Sequence, residues 1–512
     1  MIGRQSQSSK RMKKKFSPPI SRNNRNHKKI IFISLFLVAL LLLQGCAAKR
    51  NPNLERIFAE ARAKQGKAPL IILPGALGSE LVNSKTGNVV WPAVFRTRDD
   101  ELSLPISPDL ANNSDNLVAT KIIDKIKLAK FLPDVYVYNG LFESLKKFGG
   151  YREGDWNNPS ADGYQDTFYL YPYDWRRDNV ETAQNFITKV EELKQKLNRP
   201  DLRFNIIGHS MGGLIARYAA MYGKNDLPKD GEAMKPNWGG AKHIGKIFMF
   251  GTPNEGSAEA FATLLRGYSI TEGVRRPIRL LSKLSREDML TSPAIFQLLP
   301  HGSMARFLDE NLQPLKVDIY NIETWRYYGW SSAFDPEYRQ NFAAKRKGKL
   351  AAHGGNNEEA LKELDGYMDA VLKRAKRFHE SLDVEIEGRS PVLFFVFGGD
   401  CEETLNAPVI VRDRKKDKWE TLIRPKEIKT SDGKKISKNE VIKVMFAPGD
   451  GRVTRRSLLA ETLAETQRES PLFNTALPLT YAVFGCDLHG YLQNNPILQD
   501  NVLTALTSEA IK

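Results

Sequence analysis

Short apolar runs alternate with amphipathic stretches along most of the chain. "PLIILPG" (69–75), "DTFYLYPYDW" (166–175), "RFNIIG" (203–208), "GKIFMFG" (245–251), "PVLFFVFG" (391–398) and "LTYAVFG" (479–485) each have the length and composition of a strand buried on both faces. Residues 179–198 put Phe186, Ile187, Val190 and Leu193 on one side of a helix. "LIARYAAMY" (214–222) predicts a second helix, stopped by Gly223. Further helices are expected to begin near Ser257, to end near "AKRFHESLD" and to start at about Pro496. Strands alternating with helices imply a mostly parallel sheet with helices on both faces.

The alternation has two breaks. Residues 79–165 are a mixed insertion. From 267 to 390 the pattern becomes helical pieces, Trp325, Trp330 and a charged loop around 344–357, expected as a cap or lid. The organisation that follows is a first core part at 69–266, the cap at 267–390 and a second core part at 391–512. A hairpin-like insertion at 407–446 carries strand-like "PVIVRD" and "VIKVMF" around Lys-rich turns.

The start of the chain reads differently. A basic, polar stretch ends at Lys28-Lys29, and Ile30 to Leu43 then holds only Ser34 as a polar residue. That run suits a signal-peptide apolar region and is short for a membrane span. It closes in "LQGC", which resembles a bacterial lipobox, so residues 1–45 are expected to be a lipoprotein signal peptide and Cys46 the lipidated residue. Residues 46–68 follow as a linker. An uncleaved anchor or an ordinary signal peptide, and a start at Met12 instead of Met1, are the alternatives. Ala47 after the cysteine implies a cell-envelope location, at an outer membrane facing the periplasm.

The net charge of +16 invites a nucleic-acid reading. Ten Lys or Arg and no acid lie in residues 1–45, which leaves +6 for the rest. The later basic run at 412–418 has acids interspersed, so it is expected as a solvated loop and no nucleic-acid partner is expected. Cys401 and Cys486 each follow a predicted strand; a disulfide forms if those strands are neighbours, and otherwise both are free thiols. Cysteines and histidines lack metal-ligand spacing, and no cofactor is expected.

Candidate chemistry centres on "GHSMG" at 208–212. A Gly-x-Ser-x-Gly arises by chance on the order of 0.1–0.2 times in a chain of this length, so context must decide. Ser210 falls where a strand turns straight into a helix, the place that lifts a hydroxyl clear of the backbone. The Met211 amide at the helix start and Ala76 in "PGALG" are the expected oxyanion donors. A base must follow the last strand, and among seven histidines only His489 does. For the acid, Asp450 in the tight loop "GDGRV" is preferred and Asp400 is the reserve.

Together these segments resemble the lecithin:cholesterol acyltransferase family of α/β-hydrolases, which includes lysosomal phospholipase A2. "PLIILPGALGSEL", "YPYDWRRD", "GHSMGG", "FGTPNEGS", "TSPAIFQLLP", "GDGRV" and "DLHGYLQN" carry the resemblance in order, from Pro69 to the C-terminus. It implies an α/β-hydrolase fold with an inserted cap, nucleophile Ser210, acid Asp450, base His489, and Ala76 and Met211 in the oxyanion hole. The implied activity is hydrolysis or transfer of acyl groups from membrane lipid esters through an acyl-serine. A general carboxylesterase on soluble esters is the alternative, and a non-catalytic binding lipoprotein the more distant one. Asp174, Trp175 and Arg176 are expected to pair structurally. The insertion lacks the cysteine pair of the animal enzymes; Trp91 and Phe95 in "NVVWPAVF" are candidates for membrane contact, or else ordinary packing.

Overall fold

The computed structural model describes residues 51–93, 101–126, 135–229, 231–269, 283–350, 357–386, 388–413, 415–461 and 477–507. The signal-peptide and Cys46 expectations, and Phe95, lie outside them. Residues 52–512 form one compact unit.

Its centre is a seven-stranded sheet of β1 (Leu70–Leu73), β2 (Arg152–Glu153), β3 (Thr167–Leu170), β4 (Phe204–His209), β5 (Ile244–Phe250), β6 (Leu393–Gly398) and β7 (Leu479–Phe484). The spatial order is β7-β6-β5-β4-β1-β3-β2, and every pairing is parallel. Successive side chains of a strand point to opposite faces, so each apolar run feeds two cores. Ile71, Leu73, Ile206, Ile247 and Val396 pack on one face with α2 (Asn179–Lys196) and α3 (Met211–Tyr222). Leu70, Ile72, Ile207, Phe248 and Phe397 pack on the other with α1 (Asn139–Lys147) and α6 (Pro496–Thr507). This is the expected α/β-hydrolase architecture.

The 267–390 segment does not stand apart from this core. Its long helix α5 (Asn357–Leu382) buries Leu364, Val371 and Phe378 in the same apolar cluster as α3. The Tyr222 hydroxyl donates to the Ser381 carbonyl at 2.8 Å. The charged stretch expected as a loop is helical as far as Leu350, within Pro336–Leu350. Arg339 and Arg346 on that helix pair with Asp365 and Glu363 on α5, so its charges are used in packing two helices together.

A second difference lies at 438–446. "VIKVMF" was expected as a strand, yet Lys438–Met445 is a helix and only Phe446 onward is extended. Ser437 accepts from the Glu440 amide, and Glu440 returns the bond to the Ser437 amide. That capping box starts a helix whatever the apolar content behind it. "PVIVRD" does form a strand, Val409–Asp413, paired with Lys418–Leu422. Residues 54–63, in the segment expected as a polar, helix-prone linker, form two short helices, and Leu54 and the intervening Phe58 are buried in the second core.

Candidate active site

β4 is buried along its whole length and ends at Ser210, the next residue. Ser210 adopts φ 53° and ψ −123°, a conformation an L-residue holds only at a cost of about 1–3 kcal/mol. The junction is closed by backbone contact. A Cβ on Gly212 would stand 2.5 Å from the Pro74 carbonyl oxygen, and one on Gly213 would stand 1.9 Å from the Thr252 hydroxyl. Only glycine lets β1, β4 and α3 approach this closely. The strain is held in place by that packing and by the Ser210 amide, which donates to the Phe250 carbonyl at 2.7 Å.

The Ser210 hydroxyl donates to His489 Nε2 at 2.9 Å. His489 Nδ1–H donates to Asp450 Oδ2 at 2.8 Å. Asp450 itself is fixed by its own turn. Its Oδ1 accepts from the Arg452 and Val453 amides at 2.9 and 2.7 Å, and its carbonyl accepts from the His489 amide at 2.8 Å. The carboxylate is 2% exposed and the imidazole 16%, so solvent reaches the base side of the row and not the acid. Asp400, the reserve candidate, is not among the partners of His489. Cys401, just past β6, and Cys486, just past the neighbouring β7, form a disulfide beside this assembly.

Three aromatic side chains that the sequence reading did not single out for the site clamp the loop after β1. Tyr138 hydroxyl oxygen accepts from the Gly75 amide at 2.8 Å and donates to His209 Nδ1 at 2.7 Å. Tyr173 hydroxyl donates to the Pro74 carbonyl at 2.6 Å. Trp91 Nε1–H donates to the Leu77 carbonyl at 2.9 Å. Trp91 is 1% exposed and packs edge-on against Trp175, which corrects the membrane-contact expectation for it. His209 continues the row, because its Nε2–H donates to the His489 carbonyl at 3.0 Å. Burial, and then the His489 ring, push His209 down to about 3, so it stays neutral with its proton on Nε2. A continuous chain of hydrogen bonds thus runs from Gly75 through Tyr138 and His209 to His489.

The clamp sets where Ala76 sits. Ala76, Leu77, Ser210 and His489 share a cavity of about 110 Å³, with Met289, Ile295 and Leu298 supplying an apolar wall. Met211 opens α3, where the first amides of a helix have no intrahelical acceptor. Two larger clefts, about 650 and 660 Å³, lie around Arg177 and Arg374 and around Leu102 and Arg346. Neither contains Ser210 or His489, whereas among the described residues the smaller cavity adjoins the hydrogen-bonded row.

Arg176 is fully buried and points elsewhere. Its guanidinium donates to Asp174, to Asp115 and to the Leu102 carbonyl, tying the 79–165 insertion to the β3 loop. Burial works against the Arg176 charge, and the two carboxylates more than offset it, so it remains charged.

A family model described as lecithin:cholesterol acyltransferase matches residues 107–334, a span that contains Ser210 and stops short of Asp450 and His489. A phosphatidylcholine-sterol acyltransferase from Gallus gallus is 26% identical over 261 residues, covering 46% of this chain and 58% of its own length. The chain thus spans a little over half of that curated relative. Among solved structures, one chain of the Tle4–Tli4 complex aligns with a TM-score of 0.52 at 14% identity, over 87% of this chain and 99% of that one. The Bacillus licheniformis lipase BlEst2 in its propeptide form aligns with a TM-score of 0.32 at 12% identity, over 86% of this chain and 53% of that one.

Proposed function

We propose that this chain, an α/β-hydrolase of the lecithin:cholesterol acyltransferase-like kind, is a serine-dependent enzyme that hydrolyses or transfers the acyl groups of membrane lipid esters. The observation that carries the reading is the row Ser210 Oγ–His489 Nε2–Asp450, bonded at 2.9 and 2.8 Å. In it, His489 Nε2 takes the Ser210 proton as Oγ attacks the ester carbonyl. Asp450 keeps the imidazole proton on Nδ1 and stabilises the imidazolium. The Ala76 and Met211 amides receive the developing oxyanion, a contribution of about 3–4 kcal/mol for each donor. Collapse breaks the ester C–O bond, and the imidazolium protonates the leaving alcohol. Water or an acceptor alcohol then gives its proton to His489 and attacks the acyl-serine.

The apolar wall of Met289, Ile295 and Leu298 suits an acyl chain. The small volume, about 110 Å³ among the described residues, favours the second reading, a carboxylesterase on short soluble esters. A series of esters of increasing acyl length separates the two. The Cys46 lipobox supports placement at a membrane, with a lipid anchor holding the site near its substrate.

Fluorophosphonate labelling tests the central claim. The wild type should label and Ser210→Ala should not; labelling that persists in the variant removes Ser210 as nucleophile. Cys46→Ala should release the protein from membranes, and continued tight binding overturns the anchor.

A further inference from the structure

Three side chains from distant parts of the chain meet at a point where the 267–390 segment is pressed against the core. Glu255 lies in the loop between β5 and α4 (Ala258–Arg266), His301 follows the short helix Pro293–Phe296, and Asp383 ends α5. His301 Nε2 stands 3.0 Å from Asp383 Oδ2 and 3.6 Å from Glu255 Oε2. One donor atom from each lies within 4.8 Å of the others. Tetrahedral coordination with bonds of about 2.0–2.1 Å spaces its donors about 3.3 Å apart. The two separations from His301 Nε2 lie on either side of that value.

A second observation concerns the buried imidazole beside these three. His379 lies one helical turn before Asp383 on the same face of α5, is 2% exposed, and stacks on the His301 ring at 3.9 Å. Neither of its ring nitrogens has a hydrogen-bond partner among the described residues. Buried imidazoles without partners are uncommon, and an ion with its bound water is one of the things that satisfies them. Arg217, which donates to Asn254 Oδ1 and the Leu382 carbonyl, and Arg456 also act on the Glu255 carboxylate. Asp383 is 35% exposed, which provides an entry path for the ion.

We propose that Glu255, His301 and Asp383 are a binding site for a divalent transition ion, with zinc the best match to one imidazole and two carboxylates, and with His379 accepting from water on the ion. Its role is structural. The ion clips two points of the inserted segment, His301 and Asp383, to the loop whose Pro253 and Ser257 line the Ser210 cavity. The site stands or falls independently of the catalytic reading.

The test uses the full chain, stripped with a chelator and then titrated with zinc chloride. Metal content is read by mass spectrometry, and thermal stability with and without zinc. One zinc per chain should bind, and the unfolding midpoint should rise. Asp383→Asn, at the exposed edge of the site, should lower zinc affinity about tenfold or more and remove the thermal shift. Glu255→Gln should do the same. Far-UV circular dichroism and a cooperative thermal transition report whether each variant is folded. A stripped wild type that takes up no zinc, or an Asp383→Asn protein that is folded and binds zinc like the wild type, overturns the proposal and leaves a protonated His301 between two carboxylates.

Discussion

Asp450→Asn is the most incisive single change in the row, because the surrounding turn dictates how the new side chain must lie. Oδ1 accepts two backbone amides, from Arg452 and Val453. An asparagine keeps those bonds only with its carbonyl oxygen in the Oδ1 position. Its NH2 then takes the Oδ2 position, facing His489 Nδ1 across 2.8 Å. Two donors cannot share that contact, so the imidazole proton moves to Nε2. An Nε2–H has no lone pair for the Ser210 proton, and general-base catalysis stops while the nucleophile and both oxyanion amides stay in place. A wrong tautomer of this kind costs about 10⁴ in rate, or about 5.4 kcal/mol of transition-state stabilisation. Folding should suffer far less, by about 1 kcal/mol, because every hydrogen bond of the turn survives. The assay is kcat/KM on a p-nitrophenyl ester with the unfolding midpoint measured in parallel, and Asp400→Asn serves as the matched control. The reasoning fails if Asp450→Asn keeps more than about a tenth of the activity, or if Asp400→Asn loses as much.

Tyr138→Phe removes both bonds of a buried hydroxyl and strands the Gly75 amide and His209 Nδ1; it should cost about 2–4 kcal/mol of stability, and kcat should fall while KM holds. An unchanged kcat would show that the clamp does not position the oxyanion loop. His209 is neutral in the fold down to about pH 3 but takes up a proton near 6.5 when unfolded, so the unfolded state binds more protons between those values. Stability should therefore fall as pH drops from about 6.5 toward 3, by up to about 5 kcal/mol from this residue. His209→Gln should flatten that slope in thermal melts across the range. Reducing Cys401–Cys486, or replacing both residues with alanine, should cost about 2–4 kcal/mol and lower the unfolding midpoint. Equal midpoints with and without reductant would count against the bond.

Much of this was legible because the strands are apolar on both faces. "LIIL" and "LFFVFG" have no polar residue to spare for solvent and can only be central strands. Ser210 was legible for a related reason: a strand and a helix abut there with no loop between them. What escaped notice depends on contacts between distant segments. Tyr138 carries no local mark, since its partner Gly75 is 63 residues away. Glu255, His301 and Asp383 sit in three unrelated loops, and no spacing rule joins them. The cysteine pairing needed the adjacency of β6 and β7, which an apolar run does not announce. Ser437 and Glu440 are a different case, because a Ser and a Glu three residues apart, just ahead of the apolar run, are a local helix-start signal.

The glycines around Ser210 are required by close packing, since Gly208 and Gly212 meet backbone atoms of Gly213 and Pro74, and Gly213 meets the Thr252 side chain. A descendant that lost its serine would still need every one of them to keep its sheet closed against α3. The pentapeptide is therefore two messages overlaid. Its frame reports architecture, and its middle letter alone carries the proposed chemistry.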